Sequence, residues 1–217
     1  MVEDTDNKYS RSNTKQLDMK TDIQVKIVIL GNANVGKSCI LQRYLTGAYS
    51  ESHENTIGAK FLGKRVKCQG KYLKLNIWDT AGQERYQSFS KMYCRDAKAI
   101  ILVYDISDSE TIEGMKNWYM IMSHDTLPRD SLLFIAGNKC DLSYPSDYAK
   151  NQVINFSKEI KAEYFEVSAK TGVGINELFI RISNRFLEMQ CPVKKSIVLN
   201  YDDHKSSTAK KKKRKFC

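Results

Sequence analysis

Gln24-Val25-Lys26-Ile27-Val28-Ile29-Leu30-Gly31-Asn32-Ala33-Asn34-Val35-Gly36-Lys37-Ser38 is an apolar, largely β-branched run that ends at a glycine-bounded loop. The run from Val25 to Leu30 places apolar residues on both parities, which suits a strand buried on both faces. The octet from Gly31 to Ser38 fits G-x-x-x-x-G-K-[ST], and it stands where that pattern works, between such a strand and a helix predicted from Lys37 to about Thr46. Glycines let the backbone turn tightly around phosphates, while successive N–H groups and the positive end of the helix face their oxygens. Gly31, Asn32, Ala33, Asn34, Val35, Gly36, Lys37, Ser38 and Cys39 are therefore expected to hold a nucleotide. Lys37 would reach the β- and γ-phosphates, and Ser38 would ligate Mg²⁺.

Beyond this loop, residues 47–58 follow neither period and predict a loop. Val66 and Cys68, then Leu73, Leu75 and Ile77, alternate around Gln69-Gly70-Lys71 and predict a hairpin. Two apolar runs, Ala99 to Tyr104 and Leu132 to Ala136, predict buried strands. Helical spacing joins Ile112, Met115, Trp118, Tyr119 and Met122, and again Ile175, Leu178, Phe179, Ile182, Phe186 and Met189. Strands alternating with helices, plus one hairpin, predict an α/β fold: a mostly parallel sheet with one antiparallel edge strand and helices on both faces. Ligands of such sheets bind beyond the carboxyl ends of the strands.

Asp79 ends a strand whose apolar residues Leu73, Leu75 and Ile77 share its parity, so it emerges beside the phosphate loop. A carboxylate there would hold the water shell of Mg²⁺, which keeps several waters and takes few direct protein ligands. Gly82 would bring its N–H to the γ-phosphate, and the Gln83 amide would orient a water for in-line attack. Thr56, in the unpatterned stretch, would close its hydroxyl and N–H over Mg²⁺ and the terminal phosphate. Loops ordered by γ-phosphate are released on its cleavage, which turns the nucleotide state into a surface that partners read.

Asn138-Lys139-Cys140-Asp141 follows the run Leu132 to Ala136, and an ionised Asp141 only accepts hydrogen bonds. Guanine offers that carboxylate two donors, whereas adenine would aim a lone pair at it, and sites of this kind discriminate by about 10⁴ or more. Ser168-Ala169-Lys170 follows a short strand predicted over 164–167, with the Ala169 N–H placed near guanine O6 and the Lys170 stem beside the base. GTP or GDP is the expected ligand.

The chain has 217 residues, 41% of them hydrophobic, and a net charge of +10. Most of that charge lies in 191–217, so the body is too mildly basic to argue for nucleic acid. Three segments follow: a flexible arm over 1–21, one domain over 22–190 and a disordered polybasic tail over 191–217. The six cysteines show no metal-ligand spacing and predict free thiols in a reducing compartment. No apolar run reaches the roughly 18 residues needed to span a bilayer, and no secretory signal is expected.

Taken together, these motifs resemble the Ras superfamily of small GTPases over about residues 22–190. Ile57-Gly58-Ala59-Lys60-Phe61, Lys74-Leu75-Asn76-Ile77-Trp78, Ala81-Gly82-Gln83-Glu84-Arg85-Tyr86 and Leu102-Val103-Tyr104-Asp105-Ile106 are most similar to the Rab family of vesicle-traffic regulators. The resemblance implies a P-loop NTPase fold of the small G domain type, with six strands and five helices, and GTP hydrolysis at Gln83 with Thr56. It implies Mg²⁺ on Ser38 and Thr56, with Asp79 acting through water. It also implies a monomer controlled by exchange factors, activating proteins and a GDP-dissociation inhibitor, with Phe61, Trp78 and Tyr93 as an effector surface. The threonine-isoleucine-glycine-alanine form at 56–59 resembles endosomal members, which implies the cytoplasmic face of an intracellular membrane. Lys60, Ala33, and Cys94 with Asp96, depart from the usual patterns.

The tail ends in six consecutive bases, Lys210 to Lys215, and then Phe216-Cys217. One lipid chain binds membranes only marginally, so a lipid on Cys217, added by the prenylation machinery, would combine with the basic run into a stable anchor on an anionic leaflet. Arg214 stands fourth from the end, so there is no C-a-a-X box. Two other readings stay open at this stage: a hydrolysis-poor nucleotide-binding scaffold, and a nuclear GTPase that uses the basic run as an import signal.

Overall fold

The computed structural model describes residues 22–50, 56–82, 87–123 and 127–190. In chain order the elements are β1 (Ile23–Leu30), α1 (Lys37–Thr46), β2 (Ala59–Cys68), β3 (Lys71–Thr80), α2 (Gln87–Cys94), β4 (Ala99–Asp105), α3 (Glu110–Ser123), β5 (Leu132–Asn138), α4 (Asp147–Glu159), β6 (Glu163–Glu166) and α5 (Ile175–Gln190). They form a six-stranded sheet of order β2-β3-β1-β4-β5-β6. Among the described residues only the β2–β3 pair is antiparallel. The expected α/β class and antiparallel edge strand match, and so does the expected number of helices among the described residues.

The period of two along the central strands sorts their side chains into two cores. Val25, Ile27 and Ile29 of β1 and Ile101 and Val103 of β4 pack with α1 and α5. Val28, Leu30, Ile100 and Leu102 pack on the opposite face with α3 and α4. Both β1 and β4 carry their apolar runs because each lies between two helical layers. Tyr44 of α1 stacks on Phe179 of α5 with ring centroids 3.8 Å apart, which joins the two helices of the first layer.

Helix α1 has the predicted bounds. Gly47 ends it at φ 72, a left-handed conformation natural to glycine, and donates its N–H to the Arg43 carbonyl. The hairpin turns at Gln69 (φ 47) and Gly70 (φ 76), both left-handed as a two-residue turn of this hand requires. Lys71, expected in the turn, opens β3 and pairs with Cys68.

Two expectations need correction. The last strand runs over Glu163–Glu166, one residue earlier than expected. Met189, placed on the buried face of the last helix, is 37% exposed, while Ser183 and Leu187 are buried instead. Tyr119 of α3 lies on the expected face with Ile112, Met115, Trp118 and Met122, half-buried against the second core and edge-on to Phe156 of α4. Among the described residues Cys39, Cys68, Cys94 and Cys140 are free thiols. No helix among those residues is long and apolar enough to cross a membrane. The predicted arm, the polybasic tail with Cys217, and Gln83 all lie outside the described residues.

Candidate functional site

A cleft of about 400 Å³ opens beyond the carboxyl ends of the parallel strands. At one end stand Ala33, Asn34 and Gly36 to Cys39, with Thr56 and Gly82 facing them; at the other stand Asn138, Lys139, Asp141, Ala169 and Lys170. Motifs more than a hundred residues apart in the chain therefore line one cavity. Tyr49, Thr80 and Leu142 also line it, and no motif pointed to them.

The phosphate loop is shaped by close approach. A Cβ at Gly31 would stand 2.2 Å from the Val103 carbonyl oxygen, and one at Gly36 would stand 2.3 Å from Asn138 Nδ2. Gly36 is also the N-cap of α1 at φ 91 and has no side chain to cap the helix. Elsewhere the chain does use a side-chain cap: Ser146 Oγ accepts from the Ala149 N–H at the start of α4. A glycine N-cap leaves the first-turn N–H groups of α1 to an anion. Val35 turns its side chain into the first core, so only its backbone can serve a ligand.

Lys37 is 6% exposed, and its Nζ donates to the carbonyls of Gly31 (2.8 Å) and Asn32 (2.7 Å). Burial pulls its pKa down from 10.5 to about 8, with Asp79 opposing that shift. Ser38 Oγ donates to Asp79 Oδ2 at 2.6 Å and lies 3.0 Å from Thr56 Oγ1. A hydroxyl whose proton is engaged by a carboxylate keeps its lone pairs for a cation. The set is all oxygen, the hard-donor chemistry that suits Mg²⁺ when phosphates and water complete the shell. The described residues hold no cluster of three or more His, Cys, Asp or Glu. The two loops over this end are joined, since the Ala81 N–H donates to the Gly58 carbonyl at 2.7 Å.

Asn138 ties the two ends together. Its Nδ2 donates to the Val35 carbonyl at 2.8 Å, and its Oδ1 accepts from the Ala169 N–H at 3.1 Å. Arg43 of α1, which no motif contains, donates from Nε to the Ala169 carbonyl at 2.8 Å and from a terminal nitrogen to the Lys170 carbonyl. Lys139 sits at φ 65, a left-handed conformation costing a side-chain residue roughly 1–2 kcal/mol. Its Nζ is held 2.5 Å from Asp105 Oδ2. Burial works against ionisation of Asp105, but hydrogen bonds from Lys139 and Ser107 outweigh it and hold the carboxyl below its usual range. Asp141 is exposed, and its Oδ1 accepts from Ser168 Oγ at 2.6 Å.

Phe61, Trp78 and Tyr93 also come together. Phe61 and Trp78 have ring centroids 5.5 Å apart, and Trp78 and Tyr93 are 5.4 Å apart. Phe61 is 52% exposed.

Residues 26–188 match the family model described as "Ras family". The chain is 40% identical over 162 residues to Ras-related protein Rab-22A of Homo sapiens, covering 75% of this chain and 83% of that protein. It is 35% identical over 170 residues to Ras-related protein Rab-21 of Geodia cydonium, covering 78% and 74%. Against Ras-related protein Rab-34 of Mus musculus it is 34% identical over 205 residues, covering 88% and 79%.

Proposed function

The chain belongs to the Ras family, in its Rab branch, as a guanine-nucleotide-binding GTPase of membrane traffic, and on that premise we propose which residues hold the nucleotide and how the switch is set. The supporting observation is the Asn138 bridge, which makes the phosphate loop and the Ala169 loop parts of one cleft. The triphosphate lies over Gly31 to Cys39, with Lys37 against its β- and γ-phosphates. The base lies between Lys139 and Ala169-Lys170, with Asp141 accepting from the guanine N1–H and 2-amino group. Asp141 is the residue that rejects adenine.

Ser38 and Thr56 are the side chains that would hold Mg²⁺, with Asp79 behind Ser38. The ion, when bound, supplies positive charge against the phosphate oxygens. In hydrolysis, water attacks the γ-phosphorus in line, the bond from γ-phosphorus to the bridging oxygen breaks, and GDP and phosphate leave. Gln83 orients that water through its amide, and the Gly82 N–H and Lys37 stabilise charge on the phosphoryl group. Loss of the γ-phosphate releases the loops around Thr56 and Gly82, which changes the surface beside Phe61, Trp78 and Tyr93.

Regulators and effectors act on this switch, as on its Rab relatives. We assign it an exchange factor, an activating protein and a GDP-dissociation inhibitor as partners. A lipid on Cys217 and the run Lys210 to Lys215 would hold it on the cytoplasmic face of an intracellular membrane. Intact mass of the protein from its native cell tests the anchor, and an unmodified Cys217 would refute it. Protein stripped of ligand tests the site: it should take up labelled GDP in magnesium buffer and prefer it to ADP, and equal uptake of the two would reject Asp141 as the base reader.

A further inference from the structure

The side chain of Asn32 turns away from the cleft and onto α3, where Trp118 Nε1 donates to its Oδ1 at 3.0 Å. Trp118 is 1% exposed, and an indole N–H can only donate, so the partner is the amide oxygen rather than the amide nitrogen. The approach is possible because residue 114 is glycine. A Cβ there would stand 2.1 Å from Asn32 Nδ2 and 2.4 Å from its Cγ and Oδ1. Asn32 could escape that clash only by rotating away, which would break its bond to Trp118.

The backbone of the same residue meets the nucleotide machinery. The Asn32 carbonyl accepts from Lys37 Nζ at 2.7 Å. Gly82 packs against it so closely that a Cβ would stand 2.4 Å from the carbonyl carbon and oxygen. Asn32 thus touches α3 with its side chain, and touches the phosphate lysine and a switch glycine with its backbone.

We propose that Trp118 and Gly114 of α3 are positioning residues for the phosphate loop, acting through the side chain of Asn32. This rests on the nucleotide assignment above. The loop's own residues do not specify its shape: Gly31, Asn34 and Gly36 all have positive φ, at 149, 64 and 91. Such a stretch has many alternatives unless something outside it selects one. Apparent affinity falls in proportion to the fraction of time a loop spends in its competent shape, so a tether to a packed helix strengthens binding without touching the ligand. When the loop leaves that shape, the buried Trp118 N–H loses its acceptor, which adds to the selection.

The test uses the full chain loaded with N-methylanthraniloyl-GDP and follows release into excess GDP in magnesium buffer. Asn32→Leu and Trp118→Phe should each speed release by about tenfold, the effect of one lost hydrogen bond to a buried donor. The double variant should release within about twofold of either single one, because both changes cut the same link. Gly114→Ala should speed release as well. Asn32→Asp, which keeps an acceptor oxygen, should recover at least about fivefold of the loss seen in Asn32→Leu. Parent-like release in both single variants, effects that multiply in the double variant, or no recovery in Asn32→Asp would overturn the proposal. Should Trp118→Phe fail to fold, the comparison of Asn32→Leu with Asn32→Asp decides alone. A parent chain that never takes up the labelled GDP would overturn the nucleotide assignment and this proposal together, whereas a parent that binds with variants unchanged overturns only this one.

Discussion

Ser168 Oγ donates to Asp141 Oδ1 at 2.6 Å, so the acid we assign to the base is aimed from the loop after β6. Ser168 is fully buried and also accepts from the Thr171 N–H, which fixes its rotamer. Reading the base and aiming the reader are therefore separable. Asp141→Asn should shift preference from guanine to xanthine nucleotide, because the amide presents a donor where the carboxylate only accepted. Ser168→Ala should weaken GDP binding by about tenfold while leaving base preference intact. Competition of GDP against XDP measures both, and a Ser168→Ala protein that gains XDP preference would contradict the division of labour.

Ser38 donates to Asp79 and lies beside Thr56, so magnesium dependence should concentrate at residue 38. Ser38→Asn should weaken GTP binding more than GDP binding, since the terminal phosphate depends most on the ion. The ratio of GDP release rates with and without EDTA should also fall toward one. A Ser38→Asn protein that kept the parent's EDTA response would place the ion elsewhere.

Burial leaves Lys37 with a pKa of about 8 against an ordinary 10.5, and this gives a proton balance that can be measured. Between those values the unfolded chain carries the proton and the folded, ligand-free chain does not. The stability of the nucleotide-free protein should therefore rise with pH across that window, and the burial penalty is fully present below pH 8. Phosphate oxygens favour the charged form, so binding returns the proton. Calorimetry of GDP binding at about pH 9 in two buffers of different ionisation enthalpy should show uptake of nearly one proton. No uptake would mean that Lys37 is charged before the ligand arrives.

Much of this was legible before any coordinates. β1, α1 and the hairpin follow from period and glycine placement, because each element's burial is written into its own residues. α4 was not legible: it buries Ala149, Val153 and Ser157, small or polar residues whose spacing carries little apolar signal. The expectation for Met189 fails because Glu188, Met189 and Gln190 at the end of α5 are all exposed, and a helical period cannot tell where the partner surface ends. At the site, the motifs named most of the residues that the fold gathers around one cleft, because binding phosphate and guanine would constrain residue type directly. They missed Arg43, Asp105 and Trp118, which act by holding other residues. Their roles depend on which side chains the fold brings within 3 Å, and no spacing in the sequence encodes that.

Asp105 is one of those, and it carries the final prediction. Lys139 reaches it at 2.5 Å from a left-handed backbone, so the ion pair holds a strained residue at the base end of the cleft. The Asp105 side chain is 10% exposed and that of Lys139 is 38% exposed, so solvent weakens the pair and its loss should cost only about 1 kcal/mol. In a domain of this size that corresponds to a melting shift of roughly 2–4 °C. Because the Asp105 carboxyl is held below its ordinary 3.8, its contribution is complete above that value and is lost as pH falls through the lower folded value. Asp105→Asn should therefore remove the melting difference from the parent at low pH while keeping it at neutral pH. The same variant should speed GDP release at pH 7, since Lys139, which we assign to the base, is no longer fixed by its partner. Parent-like release with a lowered melting point would make Asp105 a structural residue only.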